Sequence, residues 1–259
     1  MFNGLKPDYD LIYKVVCGVG LPMRVYLPKC VSDEKKEAVL CIHGGGWRGA
    51  IKDNSHWDGS WMDNHAQYYA EKGKIGIAIS YRDLDISPET VTKDQIEDCI
   101  DAISYIKRCI PEADFEKLYI IGDSAGAHLA LCVGFLAPDN LRPRKIAACN
   151  PVTDLTAESW KDTGKTIEER KEISPLYMID RIDFTNSKKP EILCMHGDKD
   201  TVVPIEDTVL FEKKLQKKGF KSQMITVPDA SHAFILWGYT AKDEDVMRCM
   251  KTIDKFFFE

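Results

Sequence analysis

The chain lacks several features that would settle its class at once. Its longest apolar run, Leu129 to Ala137, falls far short of the roughly 20 residues a membrane-spanning helix needs. Basic residues are not in excess. With 35 Lys and Arg against 41 Asp and Glu, the net charge of −6 argues against nucleic acid or an anionic membrane surface as a partner. The opening MFNGLKPDYDLIYKVVCGVG has no basic start ahead of an apolar core, so no secretion signal is expected. Nine cysteines include no C-x-x-C pair and no His/Cys cluster at zinc spacing, so neither a structural metal nor any cofactor is expected. Cys41, Cys149 and Cys194 lie in strand-like runs and read as buried reduced thiols, which implies a reducing, cytoplasmic setting. Internal repeats and low-complexity tracts are also missing.

What is present is alternation. Strand-like runs at 11–16, 22–27, 38–42, 75–80, 118–122, 145–150, 191–196 and 223–227 are interleaved with helix-like runs at 61–72, 92–109, 205–218 and 243–257, and with one after Ser124. Such alternation predicts an α/β fold with a mostly parallel sheet covered on both faces. The first two strands have no helix between them and predict an antiparallel edge. Residues 1–259 suit one domain. The polar, helix-prone stretch 153–189 interrupts the alternation and exceeds ordinary loop length, which predicts a small helical cap over the sheet's C-terminal edge.

In an open α/β sheet, ligands gather where strands end, and the polar oddities of this chain fall there. HGGGW (43–47) follows the strand at 38–42, and GDSAG (122–126) follows the strand at 118–122. HGDKD (196–200) and PDASH (228–232) close the last two strands. GDSAG between a strand and a helix is the G-x-S-x-G elbow, which forces Ser124 out at a tight turn as a nucleophile. A serine hydroxyl needs a base, and the base needs a carboxylate to orient it. His232 is the histidine that follows the last strand. Asp200, ahead of TVVP, is preferred as the acid over Asp198, which is expected to bond amides of its own turn. His43 and His196 read as structural donors near the site, and His128 as a packing or capping residue. The amide after the nucleophile, at Ala125, and the glycine run 44–46 would supply donors for an oxyanion. The run lacks the pattern of a phosphate or dinucleotide loop.

HGGGW, GDSAGAHLA, HGDKDTVVP and SHAF, in this order, resemble the α/β-hydrolase superfamily over nearly the whole chain. Within it the likeness is to the esterase/lipase group of acetyl-xylan esterases and BD-FAE-type feruloyl esterase-like proteins. The resemblance implies Ser124, Asp200 and His232 as catalytic residues and oxyanion donors at Gly45, Gly46 and Ala125. It also implies a serine carboxylesterase for short acyl groups, such as acetyl on a decorated sugar. Trp47, Trp57 and Trp61 cluster after the glycines and could stack on a sugar, so a small-molecule or oligosaccharide ester is the expected partner. Two alternatives stand beside this one. Kynurenine formamidases are similar but carry a tyrosine where this chain has Gly46, and a non-catalytic binding protein on this fold would be expected to lack part of the triad.

Overall fold

The computed structural model describes residues 6–29, 34–48, 60–87, 89–185 and 187–259. Its apolar runs pair into one eight-stranded sheet: β1 (Tyr9–Val16), β2 (Val19–Tyr26), β3 (Lys36–Ile42), β4 (Ile75–Ile79), β5 (Ala113–Asp123), β6 (Lys145–Cys149), β7 (Glu191–Gly197) and β8 (Ser222–Val227). The order across the sheet is β1-β2-β4-β3-β5-β6-β7-β8. β2 runs antiparallel to both neighbours and the other pairings are parallel, so the predicted antiparallel edge is present. Cys17 and Gly18, with φ of 51° and 78°, make the tight left-handed turn that a two-residue hairpin requires. β5 begins five residues before the predicted start at Leu118. Its polar lead-in DFEK does not read as a strand, but Ala113 and Asp114 pair with Lys36 and Glu37 ahead of a register shift.

Side chains alternate across the sheet and are covered on both sides, so β4 and β6 are buried along their whole length. Leu40 and Ile42 face a core shared with α2 (Thr92–Cys109), α3 (Ala125–Leu136) and α6 (Ile205–Lys217). Val39 and Cys41 face the opposite core, built with α1 (Asp63–Glu71) and α7 (Asp243–Phe258). Residues 153–189 hold a 3-10 turn (Glu158–Thr163), α4 (Ile167–Glu172) and α5 (Pro175–Arg181). The stretch is seated by Leu155, Leu176, Ile179 and Phe184 in the first core and by Lys214 of α6, which donates to the Leu176 carbonyl at 2.9 Å. Among the described residues no helix is long and apolar enough to cross a membrane.

Register positions the site. Ile42 pairs with Gly122, Asp123 with Cys149, Cys149 with Met195, and Gly197 with Val227. The segments after β3, β5, β7 and β8 therefore leave the sheet side by side. They do so beside β3, where the strand order reverses and an open α/β sheet leaves a crevice.

Candidate active site

Ser124 stands between β5 and α3 with φ 53° and ψ −119°, outside any helical or strand conformation. Backbone of this kind costs about 1–3 kcal/mol and persists only where neighbours enforce it. Here the Ser124 N–H donates to the Cys149 carbonyl at 2.9 Å, and its carbonyl accepts from His128 N–H at 3.0 Å. The flanking glycines are steric necessities: a Cβ on Gly126 would strike the Ile42 carbonyl, and one on Gly122 the Gly126 carbonyl. The turn aims Ser124 Oγ at His232 Nε2, 2.9 Å away, and His232 Nδ1 lies 2.7 Å from Asp200 Oδ2. A carboxylate can only accept, so Nδ1 carries the proton and Nε2 is left to accept from the serine hydroxyl.

Asp200 is over-determined. Its Oδ1 accepts from the amides of Val202 and Val203 at 2.8 and 3.0 Å. Its Oδ2 receives His232 Nδ1–H and lies 3.3 Å from His196 Nε2, whose proton is shared with the Val203 carbonyl. Burial opposes ionisation of Asp200. The His196 and His232 bonds and the two amides more than offset it, holding the carboxyl well below the usual carboxylate range. The turn amides expected on Asp198 thus belong to Asp200. Asp198 is exposed, and its side chain has no hydrogen bond among the described residues. The physical reason is the direction of the turn. The Lys199 N–H bonds the Ala230 carbonyl at 3.0 Å, drawing residue 200 inward toward the His232 loop and leaving 198 outside.

The glycine loop is oriented through its carbonyls. The Gly44 carbonyl accepts from His43 Nδ1 at 2.7 Å and from Tyr81 OH at 3.3 Å, and the Gly45 carbonyl accepts from Arg48 N–H at 3.0 Å. C=O and N–H point opposite ways across a trans peptide, so the amides of Gly45 and Gly46 are turned away from these partners. The N–H groups of Gly45, Gly46 and Ala125 find no acceptor among the described residues. His43 also reaches Ser80 Oγ at 3.2 Å and stacks on Tyr81, and burial lowers its pKa, which suits a neutral donor. Tyr81 is a residue the sequence reading misses. Its signal is Ser80-Tyr81-Arg82, a fifth polar cluster, at the end of β4.

The BD-FAE family profile matches residues 23–151, and that of the dienelactone hydrolase family matches residues 176–249. With the strand order and elbow described above, this decides the family. The chain belongs to the α/β-hydrolase superfamily. A probable isoprenylcysteine alpha-carbonyl methylesterase of Arabidopsis thaliana is 32% identical over 238 residues, covering 80% of this chain and 47% of that protein. Another probable isoprenylcysteine alpha-carbonyl methylesterase, of Oryza sativa subsp. japonica, is 24% identical, covering 80% of this chain and 54% of that protein. The chain thus spans about half the length of these relatives. In fold it is similar to esterase 2 of Thermogutta terrifontis, with a TM-score of 0.80, 24% identity and 96% and 92% of the two chains covered.

Two further features of this α/β-hydrolase bear on its site. The tryptophans do not form an exposed platform together. Trp47 is 1% exposed, its Nε1–H donates to His128 Nδ1 at 3.1 Å, and its ring meets Trp160 edge-on, so the expectation that it stacks on substrate is corrected. The small glycines before it let the loop fold back and bury the indole. Trp57 lies outside the described residues. Trp61 is 49% exposed and rests against Tyr239, which follows the His232 loop. Among the described residues no group of three or more His, Cys, Asp or Glu side chains is placed to hold a metal ion.

The second feature is Asp123, buried beside the elbow and accepting from Asn150 Nδ2 at 2.9 Å. Burial raises its pKa to about 7, against the pull of His232 and Asn150. A carboxyl pKa raised in the fold makes folding favourable for the protonated form, and that contribution is lost as pH rises through about 7. Asp123→Asn, which cannot ionise, is therefore expected to raise the melting temperature relative to the parent at pH 8 and much less at pH 5. Thermal melts at the two pH values check this, and an equal difference at both would contradict it.

Proposed function

We propose that this chain is a serine carboxylesterase acting on short acyl esters, and that residues 1–259 form one hydrolase domain with 153–189 as its cap. The observation that carries the reading is the continuous Ser124–His232–Asp200 hydrogen-bond chain at a turn that holds Oγ toward the base. As Ser124 Oγ attacks the ester carbonyl, its proton passes to His232 Nε2. The carbonyl electron pair moves onto oxygen, where the amides of Gly45, Gly46 and Ala125 receive it. Collapse expels the alcohol, which takes the proton from His232 and leaves an acyl-enzyme. Water then repeats the sequence: His232 accepts its proton, and the acid departs as Ser124 regains its own. Asp200 stays ionised throughout and holds the imidazole in the required tautomer.

The names of the relatives support ester hydrolysis. The plant proteins are methylesterases, and the Thermogutta enzyme has been solved with propionate and with butyrate bound. For the alcohol side we favour a decorated carbohydrate carrying acetyl groups. Trp61 and Tyr239, with ring centroids 5.6 Å apart, offer exposed aromatic surface, and Thr240 bonds the His232 carbonyl next to them.

Acyl length tests the reading. A tunnel for a fatty chain needs free apolar side chains, since each buried methylene is worth about 0.8 kcal/mol. In 153–189 the large apolar residues Leu155, Ile173, Leu176, Met178, Ile179 and Phe184 are already committed to the core. Along a p-nitrophenyl ester series, kcat/KM is expected to peak at acetyl to butyryl and to fall from about eight carbons upward. A maximum at ten carbons or more, or a jump in rate at the micellar threshold, would overturn the short-acyl assignment. Acetylated xylo-oligosaccharides in the same panel test the carbohydrate preference.

A further inference from the structure

Three consecutive residues of the glycine loop hold positive φ: Gly45 at 104°, Gly46 at 63° and Trp47 at 61°. Glycine takes such angles freely, whereas tryptophan does so only when its surroundings hold it there. At Trp47 the hold is applied from both ends. Its carbonyl accepts from Gln95 Nε2 at 2.8 Å, and its indole Nε1–H donates to His128 Nδ1 at 3.1 Å. An indole nitrogen only donates, which settles the tautomer of His128. Nδ1 accepts, so Nε2 carries the proton and donates to the Ile173 carbonyl at 2.8 Å. The ring is wholly buried, and burial lowers its pKa to about 4, so it remains neutral at working pH.

One imidazole therefore joins three parts of the site. The residue sits in the first turn of α3, the helix that opens with the Ala125 amide, and its main-chain N–H donates to the Ser124 carbonyl. It anchors the loop that carries the Gly45 and Gly46 amides, and through Ile173 it grips the stretch 153–189. We propose that His128 is a positioning residue: it sets the Gly45 and Gly46 amides against the Ala125 amide and couples that alignment to the seating of 153–189. The proposal rests on the ester-hydrolase reading above. Burial alone calls for a partner on each ring nitrogen; the observation that points to positioning is that the two partners belong to separate elements, the glycine loop and the stretch 153–189.

The test compares wild type, His128→Ala, His128→Gln and Trp47→Phe below their melting temperatures. The readouts are kcat and KM on p-nitrophenyl acetate and the inhibition constant of a methyl trifluoromethyl ketone. That ketone forms a bond from Ser124 Oγ to its carbonyl carbon, sends the carbonyl pair onto oxygen as an oxyanion, and passes the serine proton to His232. His128→Ala and Trp47→Phe are expected to lower kcat about ten- to a hundredfold with KM within threefold, because misaligning a donor costs less than deleting it. The ketone should weaken by the same factor as kcat/KM, and His128→Gln, which offers both an acceptor and a donor, should recover most of the loss. If His128→Ala does not fold, Trp47→Phe carries the test, since it keeps an aromatic ring in the buried site and removes the Nε1–H donor. Folded variants with kcat within twofold of wild type, or with a raised KM and unchanged kcat, would overturn the proposal. A wild type that neither turns over esters nor binds the ketone would instead overturn the hydrolase reading beneath it.

Discussion

Ser124→Ala is expected to yield a folded protein whose kcat on p-nitrophenyl acetate is lower by about four to six powers of ten. Among the described residues Oγ makes one hydrogen bond, to His232, and the Ser124 backbone is held by Cys149 and His128 through main-chain atoms that alanine retains. Alanine also tolerates φ 53° no worse than serine does, so the melting temperature should stay within a few degrees. What is lost is the reacting atom itself. Residual catalysis by the amides of Gly45, Gly46 and Ala125 acting on a bound ester and water should remain above the uncatalysed rate. More than a few per cent of parental kcat in pure Ser124→Ala protein would remove Ser124 from the proposed mechanism.

Asp200→Asn is expected to lower kcat by about 10⁴. The substituted amide can still accept from Val202 and Val203 through its oxygen, but its NH2 then faces His232 Nδ1. The imidazole must turn its proton toward Nε2, where it can no longer accept from Ser124. Stability should fall as well, because His196 Nε2–H is a second donor aimed at the same Oδ2. The pH dependence has a definite sign. The Asp200 pKa is depressed in the fold, so its contribution is present above the unfolded value of about 3.9 and fades as pH drops below it. The gap in melting temperature between parent and Asp200→Asn should accordingly be widest near neutrality and narrow below about pH 4. Asp198→Asn, at an exposed position, should change kcat less than about twofold. The opposite pattern would exchange the two aspartates.

The sheet was legible because its strands are nearly continuous runs of apolar side chains, such as Ile75–Ile79, that only burial on both faces explains. The sharp edges of α2 followed from the helical spacing of Ile96, Ile103 and Ile106 against an acidic outer face. Ser124, His232 and the pair of aspartates stood out because polar residues at strand ends need a reason to be there. Periodicity carries no information on how a loop folds back. Trp47 looked exposed beside three glycines, yet it is anchored by Gln95 and His128, 48 and 81 residues away. Asp198 reads as the turn residue because the Ala230 contact that rotates the turn comes from the loop after the neighbouring strand β8, well beyond it in the chain. Tyr81 is marked only by the polar cluster that ends β4, and Tyr239, which is meaningful through its contact with Trp61, by no local pattern at all.

The Thermogutta esterase has been solved phosphorylated by paraoxon, and the same reagent puts the central claim here to its most direct test. The protein should be inactivated by paraoxon and digested, and its peptides mapped by mass spectrometry. The account predicts one diethylphosphoryl group per chain, carried by Ser124, accumulating in step with the loss of esterase activity and absent from Ser124→Ala and His232→Ala treated alike. Inactivation with Ser124 unmodified, or a stoichiometric adduct on another residue while Ser124 stays free, would contradict it.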